Sequence, residues 1–151
     1  MTDDEYMQIA LAEAEAAARR GEVPVGAVLV DAAGDVVARS GNAPIALDDP
    51  TAHAEVLAIR DACYHAGNYR LSELTLYVTL EPCTMCVGAI SNARIARVVY
   101  GASDPKGGAV ESGVQFFAQP SCHHRPKVIG GVRAADAAAL LKSFFKARRK
   151  R

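Results

Sequence analysis

Two short stretches, Thr51-Ala-His-Ala-Glu55 and Glu81-Pro-Cys-Thr-Met-Cys86, decide how this 151-residue chain is interpreted. The first leads into an apolar segment with helical spacing, and the second follows the strand-like run from Leu74 to Leu80. Together they read His-x-Glu followed by Pro-Cys-x-x-Cys. One imidazole and two thiolates supply three corners of a tetrahedral zinc site and leave the fourth corner for water, which is typical of a catalytic zinc.

The spacing within each stretch explains how the ligands meet. Pro82 suits the first turn of a helix, so we expect Cys83 and Cys86 at a helix N-terminus, where a spacing of three places both sulfurs on one face. His53 and Glu55 both reach the metal only if they lie in the opening turn of a helix. The sequence therefore predicts one Zn²⁺ per subunit, bound by the histidine and the two cysteines.

Glu55 is the candidate catalytic residue beside this metal. Zinc lowers the pKa of bound water to about 7, and a neighbouring carboxylate can accept that proton and pass it to a leaving amine. A histidine and two cysteines on zinc, with a glutamate that does not bind it, form the known signature of the zinc-dependent nucleobase deaminases. Backbone amides near the metal, such as that of Ala54, are expected to stabilise charge on the reacting base.

Length and composition predict a single domain over residues 1–151. Half of the residues are hydrophobic and 23% are charged, as in soluble globular proteins. The formal net charge is zero, which argues against nonspecific polyanion binding and requires any RNA contact to be local. No apolar run approaches the roughly 20 residues of a membrane span, and the N-terminus is acidic. We therefore expect a cytoplasmic protein without a membrane partner.

The cysteines outside the zinc motif do not suggest a disulfide framework. Cys63 lies in the predicted helix after His53 and is expected to be a small core residue. Cys122 lies in a late loop, and its sequence context does not assign it a role.

Hydrophobic periodicity predicts the order of helices and strands. Helices are expected over 3–20, 52–66, 82–92 and 134–151, and strands over 23–30, 36–40, 74–80, 95–100 and 128–132. The alternation in the middle of the chain predicts parallel strands with the site at their carboxyl ends. The residues expected at helical spacing are Tyr6, Ile9, Ala10 and Glu13 in the first helix and Ala135, Ala138, Leu141 and Phe145 in the last.

Segments well beyond the zinc motifs resemble the bacterial tRNA-specific adenosine deaminases, which convert the wobble adenosine of a tRNA anticodon to inosine. They span nearly the whole chain: 22–30, Asn42, 49–55, 68–71, 76–83, 97–102 and 144–149. The zinc motifs alone identify only the wider cytidine/deoxycytidylate deaminase superfamily. The resemblance implies an α/β fold with three α/β/α layers, a five-stranded mixed sheet with helices on both faces, and a homodimer whose interface helps build the RNA site.

The resemblance also implies the substrate contacts. Asn42 matches the residue that hydrogen-bonds the target base, and Asp104 and Lys106 match positions that contact the tRNA anticodon stem-loop. Phe145 matches a residue near the flanking nucleotides. The basic tail, which includes Arg149, is expected to contact phosphates. Without the resemblance, the asparagine fits an ordinary turn, the loop after residue 100 fits a flexible surface loop, and the tail fits a solvated helix end.

The chain departs from the family pattern at His123-His-Arg-Pro126. The family usually has Asn-His-Arg here. His123 stands where the family has the asparagine that helps hold the flipped nucleotide. An imidazole cannot reproduce both hydrogen bonds of an amide. The substitution puts substrate recognition at this position in question and leaves the zinc chemistry untouched. The two adjacent histidines do not indicate a second metal site, because no third ligand lies nearby in the sequence.

Three functions are compatible with the zinc motifs. The leading hypothesis is hydrolytic deamination of adenosine to inosine at the wobble position of a tRNA anticodon. The alternative is a deaminase of a free base or nucleoside, such as guanine or cytosine, which the altered His123 segment favours and the basic tail disfavours. A structural-zinc or noncatalytic RNA-binding module would need a closed four-ligand site, and the sequence offers no obvious fourth ligand.

Overall fold

The computed structural model describes residues 1–149. Its helices and strands follow one another in the order α1 (Asp3–Arg19), β1 (Gly26–Val30), β2 (Val36–Gly41), α2 (Pro44–Leu47), α3 (Ala54–Ala66), β3 (Thr75–Leu80), α4 (Thr84–Asn92), β4 (Arg97–Ala102), a 3₁₀ turn (Phe116–Ala118), β5 (Lys127–Ile129) and α5 (Ala134–Arg149). Lys150 and Arg151, which belong to the predicted basic tail, lie outside the described residues. In the described part of the chain, no helix has the length and apolarity that crossing a bilayer requires.

The strands form one mixed sheet in the order β2-β1-β3-β4-β5. β1 pairs antiparallel with β2 and with β3, whereas β3, β4 and β5 run parallel to one another. The predicted five-stranded mixed sheet is confirmed, as are the hairpin near the N-terminus and the parallel pair in the middle of the chain. The zinc motif that begins at Glu81 directly follows the carboxyl end of β3, where the alternation of strands and helices placed it.

Helices cover both faces of the sheet because the central strands are apolar on both sides. Val28 and Tyr77 pack in the cluster with α1 and α5, whereas Leu29 and Val78 pack on the opposite face with α3 and α4. At Gly26, a Cβ atom would lie 1.9 Å from the carbonyl oxygen of Ala10 in α1. Only glycine permits this close approach, which seats α1 directly on β1.

Several element boundaries differ from the prediction for local reasons. β1 begins at Gly26 and not at Val23, because Pro24 has no N–H group for a ladder and the Val25 amide donates to the Val23 carbonyl (2.8 Å). The last strand covers Lys127–Ile129 and not 128–132, because the chain turns away at Gly131, where φ is +86°. β4 covers 97–102 and not 95–100, since the amides of residues 95 and 96 bond outside the ladder.

The predicted helix faces are partly wrong. In α5, Ala135, Ala138 and Phe145 are exposed, and the buried residue is Ala137, which packs against Gly101. An alanine-rich helix offers several similar faces, so the tertiary contact with β4 decides which one is covered. In α1, Ile9 and Glu13 lie only at the edge of the buried face, which is formed by Tyr6, Met7, Ala10, Leu11, Ala14 and Ala17.

Two further predictions need correction. Cys63 is only half-buried, since it packs at the margin of the core and lines a hollow beside α4. The short helix α2 lies in a segment that was expected to be a loop. Cys122, left without a role by the sequence, is buried in the core beneath α4.

Candidate active site

Two helix N-termini converge on the predicted metal site. His53 is the N-cap of α3, and Cys83 is the N-cap of α4, with Cys86 in its first turn. The prediction that both motifs open a helix is confirmed. Each helix begins two residues later than expected, however, and Pro82 precedes the cap and does not occupy the first turn. The N-terminal ends of both helix dipoles therefore face the site and favour negatively charged ligands.

The three predicted ligands are close enough to share one ion. His53 Nδ1 lies 3.6 Å from Cys83 Sγ and 3.6 Å from Cys86 Sγ, and all three atoms fall within 4.8 Å of one another. A tetrahedral zinc with Zn–N of about 2.0 Å and Zn–S of about 2.3 Å requires an N···S separation of about 3.6 Å. The donor set therefore fits Zn²⁺. Among residues 1–149, no fourth His, Cys, Asp or Glu joins this group, which leaves a coordination position for water.

The three ligand side chains shift one another's pKa values. Hydrogen bonding from Cys86 is the main cause that lowers the pKa of Cys83 to about 4, and His53 contributes in the same direction. The same Cys83 partner raises the pKa of Cys86 above its usual range. A hydrogen bond to Cys83 likewise raises the pKa of His53. These shifts favour the thiolate at Cys83, and binding of a cation would release the proton of the second thiol.

Glu55 occupies the second position of α3 and is 4% exposed. Burial raises its pKa, and the negative charge of Cys83 acts in the same direction. The carboxyl group interacts with Cys86 and with the charge of Cys83, and it is not among the three grouped ligands. A buried carboxyl group beside a metal site, with its pKa raised, is suited to exchange protons with a bound substrate.

Asn42 and Ala54, both predicted site residues, meet directly. The Ala54 amide donates to Asn42 Oδ1 (2.7 Å), and the asparagine is 8% exposed. Because an amide N–H can only donate, this contact fixes the side-chain oxygen toward α3 and leaves the side-chain NH₂ group as the remaining donor. In this structure the Ala54 amide holds Asn42, so the expected contact between that amide and the reacting base remains a prediction.

The sequence did not reveal the roles of two buried glutamates that hold the loops beside the site. Glu22 accepts the amides of Ile45 (3.1 Å) and Ala46 (2.8 Å), at the start of α2 and just after Asn42. Glu81 accepts hydrogen bonds from the loop that follows β4. Both glutamates are 2% exposed. The available signal was an acidic residue next to a buried strand, because a charge in such a place must find partners.

Asp104 and Lys106 lie in the loop that follows β4, here called the 103–113 loop. Asp104 Oδ1 accepts the amides of Lys106 (3.2 Å) and Gly107 (3.0 Å) and so closes a tight turn. The lysine side chain is exposed. An isolated antiparallel bridge joins Gly108 to Cys83, so the loop lies directly against a metal ligand.

The two adjacent histidines have different surroundings. His124 Nε2 lies 2.7 Å from the Ile95 carbonyl and must donate to it, because a carbonyl can only accept. Arg125 Nε donates to the Phe117 carbonyl (2.6 Å). These contacts anchor the segment on the core and leave the His123 side chain exposed.

The predicted contacts from α5 lie on the surface. Phe145 is 42% exposed, and Arg149 is exposed near the end of the helix. Arg148 lies over the Phe144 ring (4.6 Å) and donates to the Gly21 carbonyl (3.1 Å), which ties the end of α5 to the end of α1. Within residues 1–149, no hydrogen bond or ion pair joins His123, Phe145 or Arg149 to the metal ligands.

Comparison with known proteins agrees with this geometry. Residues 1–102 match the family described as the cytidine and deoxycytidylate deaminase zinc-binding region. A tRNA-specific adenosine deaminase of Agrobacterium fabrum (strain C58) is 58% identical over 144 residues, which span 95% of this chain and 94% of the relative.

Solved structures extend the likeness to three dimensions. A structure from a study of A-to-I editing by tRNA:A34 deaminases superposes with a TM-score of 0.89 at 58% identity, covering 91% of this chain and 99% of that one. A guanine deaminase of Bacillus subtilis superposes with a TM-score of 0.68 at 32% identity, covering 100% and 96%. The sequence identity and the TM-score are both higher for the tRNA adenosine deaminases than for the guanine deaminase. The chain therefore belongs to the tRNA-specific adenosine deaminase family, within the zinc-dependent cytidine and deoxycytidylate deaminases.

Proposed function

We propose that this protein converts the wobble adenosine of a tRNA anticodon to inosine by hydrolytic deamination. One observation carries the proposal: a three-ligand metal site at two helix N-termini, with the buried carboxyl group of Glu55 beside it and a coordination position left for water. A structural zinc site would be closed by a fourth ligand. Membership of the tRNA-specific adenosine deaminase family supports adenosine in RNA as the substrate.

The chain's own residues account for the proton transfers. His53, Cys83 and Cys86 would hold the Zn²⁺, which would make a water nucleophilic at neutral pH. Glu55 accepts a proton from that water as the C6–O bond forms, and it delivers the proton to N1 of the base. Glu55 then takes the remaining proton from the new hydroxyl group on C6 and gives it to the exocyclic amine. The C6–N bond breaks, and ammonia leaves. The products are inosine and ammonia, and no other reactant is needed.

The base is held by groups that surround this centre. We propose that Asn42 donates its side-chain NH₂ group to the purine, because its oxygen is occupied by Ala54. The target adenosine lies in an anticodon loop and is already unpaired, so turning it into the pocket costs a few kcal/mol or less. His123 would help to hold the flipped nucleotide through its imidazole, and Phe145 would offer an aromatic face to the flanking nucleotides.

The anticodon stem-loop is proposed to lie across exposed cations. Lys106 on the 103–113 loop and Arg149 on α5 are the predicted phosphate contacts, and Asp104 shapes the turn that presents the lysine. The chain has no net charge, so these local cations must supply the electrostatic attraction.

We also propose that two copies pair through the face formed by α3 and α4. A hollow of about 340 Å³ opens there, lined mainly by apolar side chains that include Val56, Ile59 and Ala93. Tyr69 at its edge is 71% exposed. A second copy would cover this apolar surface and place its own loops near the site. Ile59→Lys should convert a dimer into a monomer in sedimentation velocity, and an unchanged mass would contradict this interface.

A cytoplasmic location fits both the substrate and the ligands. The tRNA pool lies there, and the two thiol ligands need a reducing compartment. The four cysteines are free, in agreement with this proposal.

The function is tested with zinc-loaded protein and an anticodon stem-loop RNA that carries adenosine at the wobble position. Free guanine, adenosine and cytosine are incubated in parallel, and inosine and ammonia are measured. We expect inosine at the wobble position alone. The second candidate is guanine deamination, which the 32% identical guanine deaminase structure and the altered His123 segment favour. Ammonia from guanine, with the RNA unchanged, would establish that candidate and exclude the first.

A further inference from the structure

A single buried carboxylate holds most of the 103–113 loop. Glu81 Oε1 accepts the Asp104 amide (2.9 Å) and the Ser112 hydroxyl (3.0 Å). Its Oε2 accepts three successive amides, those of Val110 (3.0 Å), Glu111 (3.0 Å) and Ser112 (2.9 Å). The side chain is 2% exposed, and among the ion pairs of residues 1–149 none includes it. Five hydrogen bonds, and no cation, therefore compensate the buried charge.

The loop is shaped around this carboxylate. At Gly108, a Cβ atom would lie 2.3 Å from Glu81 Cδ and 2.5 Å from its Oε1, so only glycine lets the loop close over the side chain. At Gly113 the chain has a φ of +55°, which a glycine adopts without strain, directly after the last of the bonded amides. Gly108 therefore stands where the backbone passes close to the carboxylate, and Gly113 stands where it turns back against the Gly108 carbonyl.

The same carboxylate lies next to the metal site. Glu81 is two residues before Cys83, and the Ala109 amide donates to the Pro82 carbonyl (2.9 Å). The bridge between Cys83 and Gly108 adds a second main-chain contact, so the loop lies along the turn that carries the ligand. The loop and the metal-binding turn are therefore joined through main-chain contacts on both sides of the carboxylate.

We propose that Glu81 is a positioning residue that fixes the 103–113 loop, and with it Asp104 and Lys106, at a set distance from the metal. The inference rests on the proposed function, in which these two residues contact the RNA. Glu81 touches neither substrate nor the reacting atoms. Its effect should therefore fall on how well the stem-loop binds, while the chemical step at the metal proceeds once the RNA is bound.

The test is Glu81→Gln in the zinc-loaded full-length protein. The NH₂ group of the glutamine would face loop N–H groups that donate to the carboxylate in the wild type. Two donors cannot bond to each other, so the loop should open. Hydrogen exchange should show lost protection at the amides of Asp104, Val110, Glu111 and Ser112. With the stem-loop RNA, KM should rise about tenfold and kcat should change less than about threefold, with zinc content unchanged. Ser112→Ala removes only one of the five bonds and should raise KM about twofold, which tests the same loop in a milder variant.

Val28→Ala is the matched control for lost stability, because Val28 is fully buried on the opposite face of the sheet. It should lower the thermal midpoint and leave KM unchanged. The inference is overturned if the loop amides of Glu81→Gln and Ser112→Ala stay protected, if they lose protection without a change in KM, or if Val28→Ala raises KM equally. If wild-type protein leaves the RNA unchanged, the proposed function and the RNA role of the loop both fail, and hydrogen exchange still reports whether Glu81 holds the loop.

Discussion

The metal centre and the loops around it are held in place by different means. The three ligands lie at the first residues of α3 and α4, so the geometry of two helix N-termini fixes them. Apart from the buried Asn42, the side chains predicted to contact RNA lie on exposed loops and on α5, and tertiary contacts of Glu22, Glu81 and His124 hold the loops. Chemistry and substrate choice can therefore change independently in this molecule.

Loss of one ligand should produce the largest effect. Cys86→Ala leaves only His53 and Cys83 as protein ligands, and two ligands should bind zinc much more weakly than three. Removing groups that merely support metal ligands costs about 10–100-fold in affinity or activity, so loss of a ligand should cost more than about 100-fold. Zinc content and inosine formation should fall together. Cys63→Ala, at the half-buried cysteine of α3, is the control and should retain its zinc.

Glu55→Gln should stop turnover without releasing the metal. The amide keeps the size of the side chain but cannot accept and return a proton, so kcat should fall by about 10²–10⁴-fold. Zinc measured by elemental analysis should stay at one per chain. Glu15→Gln on the exposed side of α1 is the matched change away from the site. Loss of zinc in the Glu55 variant would assign that residue to metal binding and not to proton transfer.

A change in the loops should alter substrate use and not chemistry. His123→Asn restores an amide that can donate and accept, and one additional hydrogen bond of about 1 kcal/mol raises kcat/KM about fivefold for the stem-loop RNA. Zinc content should not change. His124→Asn is the contrasting variant, because its imidazole donates to the Ile95 carbonyl and anchors the segment. A fall in kcat/KM for His123→Asn would mean that the imidazole holds the nucleotide better than an amide does.

The smallest effect is expected far from both regions. Asp3 accepts two hydrogen bonds from Arg97 (2.5 and 2.9 Å) and one from Tyr77 (2.7 Å), and the Arg97 bonds are the main cause that lowers its pKa. This stabilisation is present above the unfolded pKa of about 3.9 and is lost as the pH falls through the lowered folded value.

Asp3→Asn should therefore destabilise the fold by about 1 kcal/mol at neutral pH, a value kept small because the pair is partly exposed. The difference from wild type in urea unfolding should shrink in acid. Deamination kinetics should not change, and a changed KM would show that the two regions are not independent of the α1 face.

The metal centre could be predicted from sequence because the spacing within each ligand motif is local and the residue types are those that bind zinc. The first turns of two helices place His53, Cys83 and Cys86, and the sheet brings the two motifs together across 30 residues of sequence. The covered face of α5 depends instead on where Ala137 meets Gly101, and no pattern within an alanine-rich helix records that contact. The role of Glu81 was equally hidden, since its partners are mainly backbone amides, and no side-chain motif marks which amides a carboxylate will bind.

Glu81 binds the main chain of its loop at four of five contacts, and main-chain amides are the same for nearly every amino acid. Outward-facing side chains such as those of Pro105 and Lys106 can therefore be replaced without altering the path of the loop. An engineer who wished to redirect this deaminase toward another nucleic acid would randomise those positions and keep the glutamate with its two glycines. The exposed side chains of the loop would then change while its backbone keeps the same path.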